Sequence, residues 1–315
     1  MQSVVSLVRK AHSIYIATHI GPDGDVIGSA LGLFWALTAL GKSCTVACAD
    51  PIPASLAFLP GSEGIVSVPP SGQDLIIVVD TADLDRLGSL YNESAFNSVP
   101  VINLDHHITN VNFGSTNIVT PQAAAVGEMV YDLLLRLDVP VDKRIATCLL
   151  TAIVTDTIGF RTTSTTPHTL RLAATLTEAG APLSYIVEQA FESRPLPVLR
   201  LWGQVLSSFQ INDGVAWASI PNHTLLRYDL KEDEVTGLVN FLRGTQGAQV
   251  AVLLMESTNG TIKVEFRSNG KVNVANVATA LGGGGHPAAS GCTMSGPLAE
   301  AERRALAEVR RHVHA

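Results

Sequence analysis

Aromatic residues are scarce in this chain: Trp, Tyr and Phe make up 5% of its 315 residues. A core without them is filled by Val, Leu, Ile and Ala, which suits parallel β-sheet layered with helices. Charge is sparse too, at 16%, and the balance is acidic, with a net charge of −7. That argues against a binder of duplex DNA, which needs a basic face. A short oligonucleotide or mononucleotide stays open, because bound divalent cations reverse the potential at an acidic site. No run reaches the roughly 18 apolar residues of a membrane span, and Met1 to Lys10 lacks a basic start followed by a long apolar segment. No membrane partner is expected. The four cysteines, Cys44, Cys48, Cys148 and Cys292, do not resemble the framework of a small secreted scaffold. Cys44 and Cys48 read as ordinary buried residues, and the expected compartment is the reducing cytoplasm.

A chain this long favours two domains over one core. The first half alternates strand and helix patterns. Strands are expected at Ser13–Thr18, Ser43–Cys48, Leu75–Val79 and Val101–Leu104. Helices are expected at Val26–Leu40, closed by Gly41, and over Ala123–Leu137 and Val141–Thr155. Thr166 and Pro167 open another, as cap and first-turn residue. The alternation predicts a doubly wound, mainly parallel α/β sheet. Pro195 and Pro197 read as a linker. Beyond it, strands are expected at Val215–Ile220, Ala248–Glu256 and Thr261–Arg267, with a hairpin turn at Asn259-Gly260. Helices at Lys231–Leu242, Val272–Leu281 and Pro297–His312 complete a smaller α+β domain. The expected division is 1–190, a linker region 191–208, and 209–315.

The chemistry sits where apolar runs end. Val101-Ile102-Asn103-Leu104 delivers Asp105-His106-His107. The first strand delivers His19, Asp23 and Asp25, the third delivers Asp80, and a helix delivers Asp156. In open α/β sheets the ligand site lies beyond the carboxyl ends of the strands, so the groups that follow strands are expected to converge. Asp156, which follows a helix, is expected to join them without the support of that rule. Gly24 is expected to let the loop turn between Asp23 and Asp25, and Gly28-Ser29 to give close packing in the first helical turn. Clustered carboxylates repel, and burial makes that worse. No Lys or Arg lies inside these motifs, so cations must neutralise them. His nitrogen mixed with Asp oxygen, without thiolate, suits Mn²⁺ or a similar ion. Two such ions are the apparatus of phosphate-ester hydrolysis. Each motif alone has a plain reading as a turn or cap, and only their joint order excludes it. In the second half, Gly282 to Gly285 with His286, and Arg267-Ser268, suit a phosphate; the alternative is a flexible glycine loop with an incidental His. His12, His168, His223, His312 and His314 read as surface or structural residues.

The motifs HIGPDGD, VVDTAD, LDHH, TDTIGF, FRS and GGGGHPAASG, in that order, resemble the DHH phosphoesterase superfamily with its DHH-associated C-terminal domain. The resemblance covers nearly the whole chain and points to the subgroup of bifunctional oligoribonucleases and pAp phosphatases. It implies two Mn²⁺, other divalent ions being open. One is held by His19 and Asp23, the other by Asp25, His106 and Asp156, with Asp80 bridging. It implies catalytic roles for Asp80, Asp105, which steadies the histidines, and His107, which faces the phosphate. Arg267, Ser268, Gly284, Gly285 and His286 are implied as nucleotide ligands, with an active site in the inter-domain cleft. Ser164 stands where relatives commonly carry Asn, which shortens one substrate contact. The implied substrates are short single-stranded RNA, cut to 5′-mononucleotides, and 3′-phosphoadenosine 5′-phosphate (pAp), cut to AMP. The alternatives are a cyclic di-AMP or linear dinucleotide phosphodiesterase, a manganese pyrophosphatase and a silent nucleotide-binding module. A homodimer is the state relatives suggest.

Overall fold

The computed structural model describes residues 1–235 and 237–313, so His314, Ala315 and Thr236 lie outside the described residues. The chain divides into two units, Met1–Ser193 and Arg194–Ala315. The first runs α1 (Gln2–Lys10), β1 (Ser13–Ala17), α2 (Gly24–Ala39), β2 (Ser43–Ala47), β3 (Leu75–Val79), α3 (Glu93–Ser98), β4 (Val101–Asp105), β5 (Thr116–Val119), α4 (Val126–Arg136), α5 (Lys143–Asp156), α6 (Pro167–Glu178) and α7 (Leu183–Val187). Its five strands form a parallel sheet in the order β2-β1-β3-β4-β5. The order reverses between β1 and β3, and such a switch point opens a crevice at the carboxyl ends of the strands.

β3 is buried along its whole length because both faces of the sheet are covered. Leu75, Ile77 and Val79 pack with residues of α2, α4 and α5, while Ile76 and Val78 pack with Tyr15, Leu87, Leu90 and Phe96. A strand covered on both sides reads as a continuous apolar run rather than an alternating one. Gly41 adopts φ 75° just past α2, as its position requires. Thr166 caps α6, accepting from the Thr169 N–H at 3.2 Å, with Pro167 in the first turn. All four cysteines are unpaired thiols.

Glycines set the crossing of α2 and α5. A Cβ on Gly28 would collide with the Cys148 carbonyl and lie 2.9 Å from the Ala152 nitrogen. One on Gly32 would lie 2.6 Å from a Leu149 methyl, and one on Gly24 would run into Thr155. The close packing expected at Gly28 is therefore present. Gly24 serves a different need from the expected one. It is the first helical residue of α2, and it is glycine because α5 leaves no room for a side chain.

The second unit holds α8 (Leu196–Leu206), β6 (Gln210–Asn212), β7 (Val215–Ile220), α9 (Asn222–Arg227), α10 (Leu238–Arg243), β8 (Val250–Glu256), β9 (Ile262–Ser268), α11 (Val274–Ala280), β10 (Gly284–His286), β11 (Ala289–Met294) and α12 (Leu298–Val313). Its six strands run β10-β11-β9-β8-β7-β6, antiparallel except for the parallel pair β7 and β8. Two core clusters lie on its two faces. The segment expected as a linker is largely helix α8, whose Val198, Leu201, Trp202 and Val205 are buried in this unit. Pro195 is its N-cap and Pro197 lies in its first turn, where no backbone N–H is needed. The helix expected over Lys231–Leu242 is instead a 3₁₀ turn, Glu232–Glu234, followed by α10 behind Gly237 at φ 86°. Among the described residues no helix is long and apolar enough to cross a membrane.

Candidate metal centre and nucleotide-binding residues

Each acidic residue is placed by a local device. Asp23 is the N-cap of α2: its Oδ1 accepts from Asp25 N at 3.0 Å and Val26 N at 3.1 Å. Its Oδ2 is 4.0 Å from His19 Nε2. One oxygen thus satisfies the helix and the other turns to the site. Asp25 is buried and accepts from Val126 N at 2.7 Å, Gly127 N at 3.2 Å and Ser29 Oγ at 2.9 Å. The first two donors are the opening N–H groups of α4, where a negative charge is favoured.

Asp80 leaves β3 with φ 53°, a left-handed conformation that Asp tolerates better than most residues. Asp156 ends α5, and the chain beyond it is strained, with Ile158 at φ 51° and Phe160 at φ 64°. A β-branched residue held there costs about 1–3 kcal/mol, and such strain clusters at functional sites.

These groups meet. His19 Nε2 is 3.6 Å from Asp80 Oδ2. His106 Nε2 is 3.5 Å from Asp80 Oδ1, 3.8 Å from Asp25 Oδ2 and 3.8 Å from Asp156 Oδ2. Asp80 stands in both groups, and His19–Asp23–Asp80 and Asp25–Asp80–His106 each bring their ligand atoms within 4.8 Å of one another. Asp80 Oδ1 is buried with no hydrogen-bond partner. A buried, unsatisfied carboxylate oxygen costs about 1–3 kcal/mol or more.

The histidine tautomers suit a metal as well. His106 Nδ1 lies 3.0 Å from the Ala123 carbonyl and His19 Nδ1 lies 2.8 Å from the Ile20 carbonyl. A carbonyl only accepts, so each Nδ1 carries a proton and each Nε2 faces the carboxylates, the nitrogen that a metal would take. Arg86 Nη2 also lies 3.1 Å from His19 Nδ1. Both cannot donate into the same line. The shorter contact, to the carbonyl, fixes the tautomer.

Electrostatics gives the same answer. Burial pushes the Asp80 carboxyl well up, and Asp25 and Asp23 push it further. Burial raises Asp25 as well, against the pull of His106. Asp156 is pushed up to about 8 by burial, with His106 opposing and Asp25 and Asp23 adding to it. Burial alone would depress His106, but Asp80, Asp156 and Asp25 outweigh it and push the imidazole up to about 10. Crowded carboxylates that resist ionisation are a site short of positive charge. Oxygen and imidazole donors around an unsatisfied central carboxylate fit divalent cations.

Asp105 belongs to a neighbouring network. It is fully buried and accepts from His106 N at 2.8 Å, His107 Nδ1 at 2.7 Å and Asn110 Nδ2 at 2.5 Å. Burial would raise its pKa, but the His107 and Asn110 donors hold the carboxyl below the ordinary range. His107 Nδ1 is therefore committed to Asp105, which makes Nε2 its working nitrogen. Sequence reasoning missed Asn103, Asn110, Ser29 as the Asp25 donor, and Arg86. Asn103 carried a signal: it is a fully buried amide inside an apolar strand, donating to the Thr81 carbonyl at 3.0 Å and accepting from Asn110 at 2.7 Å.

In the second unit the glycine run is not a loop. Gly284 to His286 form edge strand β10, paired with β11. A Cβ on Gly285 would lie 2.7 Å from the Ala289 carbonyl, so the glycines let two backbones approach. His286 pairs with Ala289, and Ala289 with Arg267, which puts Arg267 and His286 in one row on the same face. Ser268 is buried and its Oγ accepts from Gly270 N at 3.0 Å and Val272 N at 3.3 Å, so it shapes the turn after Arg267. Ser164 lies in the turn before α6, its Oγ 2.7 Å from Thr162 Oγ1.

Comparison with known proteins bears on this geometry. Residues 13–153 match the DHH family N-terminal domain and residues 212–315 match the DHHA1 domain. The chain is 40% identical to the bifunctional oligoribonuclease and PAP phosphatase NrnA of Thermus thermophilus, over 94% of this chain and 89% of that protein. It is 29% identical to the Bacillus subtilis protein of the same name, over 90% and 89%. A crystal structure of an exopolyphosphatase-related protein from Bacteroides fragilis superposes with a TM-score of 0.91 at 26% identity, covering 99% of this chain and 96% of that one. The chain belongs to the DHH phosphoesterase family, with a DHHA1 domain in its second unit.

Proposed function

We propose that this protein is a Mn²⁺-dependent phosphoesterase that hydrolyses short oligoribonucleotides to 5′-mononucleotides and pAp to AMP. The observation that carries this reading is Asp80: a buried carboxylate with one unpartnered oxygen, shared by two clusters of ligand atoms. Likeness to the Thermus thermophilus relative supports the substrates. His19, Asp23 and Asp80 would hold one ion, and Asp25, Asp80, His106 and Asp156 the other. When bound, two dications lower the pKa of water and neutralise phosphoryl oxygens.

The chain's own residues do the rest. The carbonyls of Ile20 and Ala123 hold the His19 and His106 rings in the ligating tautomer. Asp105 fixes His107, so that Nε2 meets the phosphoryl group or supplies a proton to the leaving oxygen. In the second unit, the row formed by Arg267 and His286 recognises a nucleotide phosphate, Gly284 and Gly285 keep that strand open to it, and Ser268 shapes the turn. Ser164 makes a short-range contact to the substrate.

The test is a side-by-side assay of pAp, a short RNA, cyclic di-AMP and pyrophosphate with Mn²⁺, and again after chelation. Mn²⁺-dependent release of AMP and of 5′-mononucleotides is expected. Turnover of cyclic di-AMP alone, of pyrophosphate alone, or of nothing despite tight nucleotide binding, overturns it.

A further inference from the structure

We propose that Arg86 is a substrate ligand: its guanidinium binds a phosphate of the nucleotide on the His19 side of the acidic cluster. The inference rests on the phosphoesterase reading above. Arg86 lies in the 3₁₀ segment Leu84–Leu90, which Asp83 caps by accepting the Arg86 N–H at 3.1 Å. The Arg86 carbonyl accepts from Ile20 N at 2.7 Å, tying this segment to the loop that carries His19. Gly88, at φ 56°, lets it close down: a Cβ there would lie 2.6 Å from an Ile20 methyl. The backbone thus delivers the side chain to the rim of the cluster, where Nη2 comes within 3.1 Å of His19 Nδ1.

That cation forms no ion pair among the described residues. Among the described residues no carboxylate oxygen lies within 4.0 Å of it, although Asp23 and Asp80 both lie beside His19. Its contact with His19 is not a settled hydrogen bond, because the Ile20 carbonyl claims the same ring nitrogen as a donor. The residue as a whole is exposed. A guanidinium beside a dication site opposes ion binding by Coulomb repulsion. The arrangement becomes favourable when an anion arrives that touches both the ions and the arginine. A phosphate does so, and the planar fork matches two of its oxygens.

The sign of that repulsion gives the test. Arg86→Gln and Arg86→Lys are compared with the wild type in Mn²⁺ titration calorimetry, in AMP and inorganic phosphate binding to the Mn²⁺-loaded protein, and in pAp kinetics. The expected result for Arg86→Gln is unchanged or tighter Mn²⁺ binding, with phosphate and AMP affinity reduced, and KM raised, by about 10-fold or more. Arg86→Lys recovers part of the loss. Wild-type KM and anion affinity in Arg86→Gln overturn the proposal. So does weakened Mn²⁺ binding that accounts for the substrate defect, since Arg86 would then only support His19. Phosphate binding reads the arginine without turnover, so a wild type inert toward pAp defeats the activity while leaving this assignment separately decided.

Discussion

Asp80→Asn separates stability from function at this site, with effects of opposite sign. The substitution keeps the shape and suits the backbone, because Asn is among the residues that tolerate the left-handed conformation found at φ 53°. It removes a carboxylate whose Oδ1 is buried and unpartnered. A neutral amide escapes the burial penalty and the repulsion from Asp25 and Asp23 that the ionised group bears, which is worth about 1–3 kcal/mol. For a unit the size of Met1–Ser193, each kcal/mol moves Tm by about 2–4 °C, so metal-free Asp80→Asn melts roughly 2–12 °C above the wild type. The pH dependence has a definite direction. The Asp80 carboxyl is pushed up in the folded state, so the fold binds its proton more tightly than the unfolded chain does. The Asp80 contribution to metal-free stability is therefore greatest below the ordinary carboxylate range and is lost as pH rises through the elevated folded value. The advantage of the variant widens along the same path. Adding Mn²⁺ reverses the order. A ligand at 100 times its Kd stabilises by about 2.7 kcal/mol per site, which the wild type gains and the variant loses with its shared carboxylate. Calorimetry with chelator, with Mn²⁺ and across pH reads all three effects, alongside pAp hydrolysis. A metal-free variant less stable than wild type, or one that keeps the Mn²⁺ shift and turnover, refutes the reasoning.

Asp105→Asn is expected to lower kcat by about 10²–10³-fold with Mn²⁺ affinity retained. All three partners of Asp105 are donors, so an amide NH₂ must face one of them and His107 loses its fixed ring. Gly28→Ala drives a methyl into the backbone of α5 and costs about 1–3 kcal/mol in urea unfolding. It also weakens Mn²⁺ binding, because α2 and α5 carry Asp25 and Asp156. Asp142→Ala removes the N-cap of α5, which accepts from Ile145 N at 3.0 Å, and costs about 1 kcal/mol at neutral pH. The Asp142 carboxyl is held below its ordinary value, the Ile145 and Arg144 donors outweighing burial. Its contribution is present above the unfolded carboxylate pKa and lost as pH falls through the folded one, so variant and wild type converge in acid.

Much of the first unit was legible because its signals are local. β3 is a five-residue apolar run, and Thr166-Pro167 is a cap followed by a first-turn proline. The convergence of His19, Asp23, Asp25, Asp80 and His106 followed from one rule about where parallel strands end; Asp156, at the end of a helix, lay outside that rule, and its carboxylate also comes to His106. What stayed hidden was decided by partners distant in sequence. A run of glycines says that backbones or ligands approach closely; only β11 says that the neighbour is a strand. Two prolines read as a linker; the chain does divide beside them, between Ser193 and Arg194, but both sit where a helix tolerates them and the residues beyond form α8. Gly24 gave no sign of the helix that crowds it. Arg86 and Asn110 lie outside every motif and reach the site from a 3₁₀ segment and a turn.

The strand order also dictates when in biosynthesis the acidic pocket is finished. His19 emerges early, but its companions arrive piecemeal at the tips of β3 and β4, and Asp156 comes last of the six, at the end of α5. A nascent chain halted before α5 lacks Asp156 and the helix that seats against the glycines of α2. On the proposed reading, ion capture would wait for the end of α5 in the first unit. All six residues proposed as ion ligands lie in the first unit and the proposed phosphate row lies in the second, so on that reading the two would be made in succession along the chain.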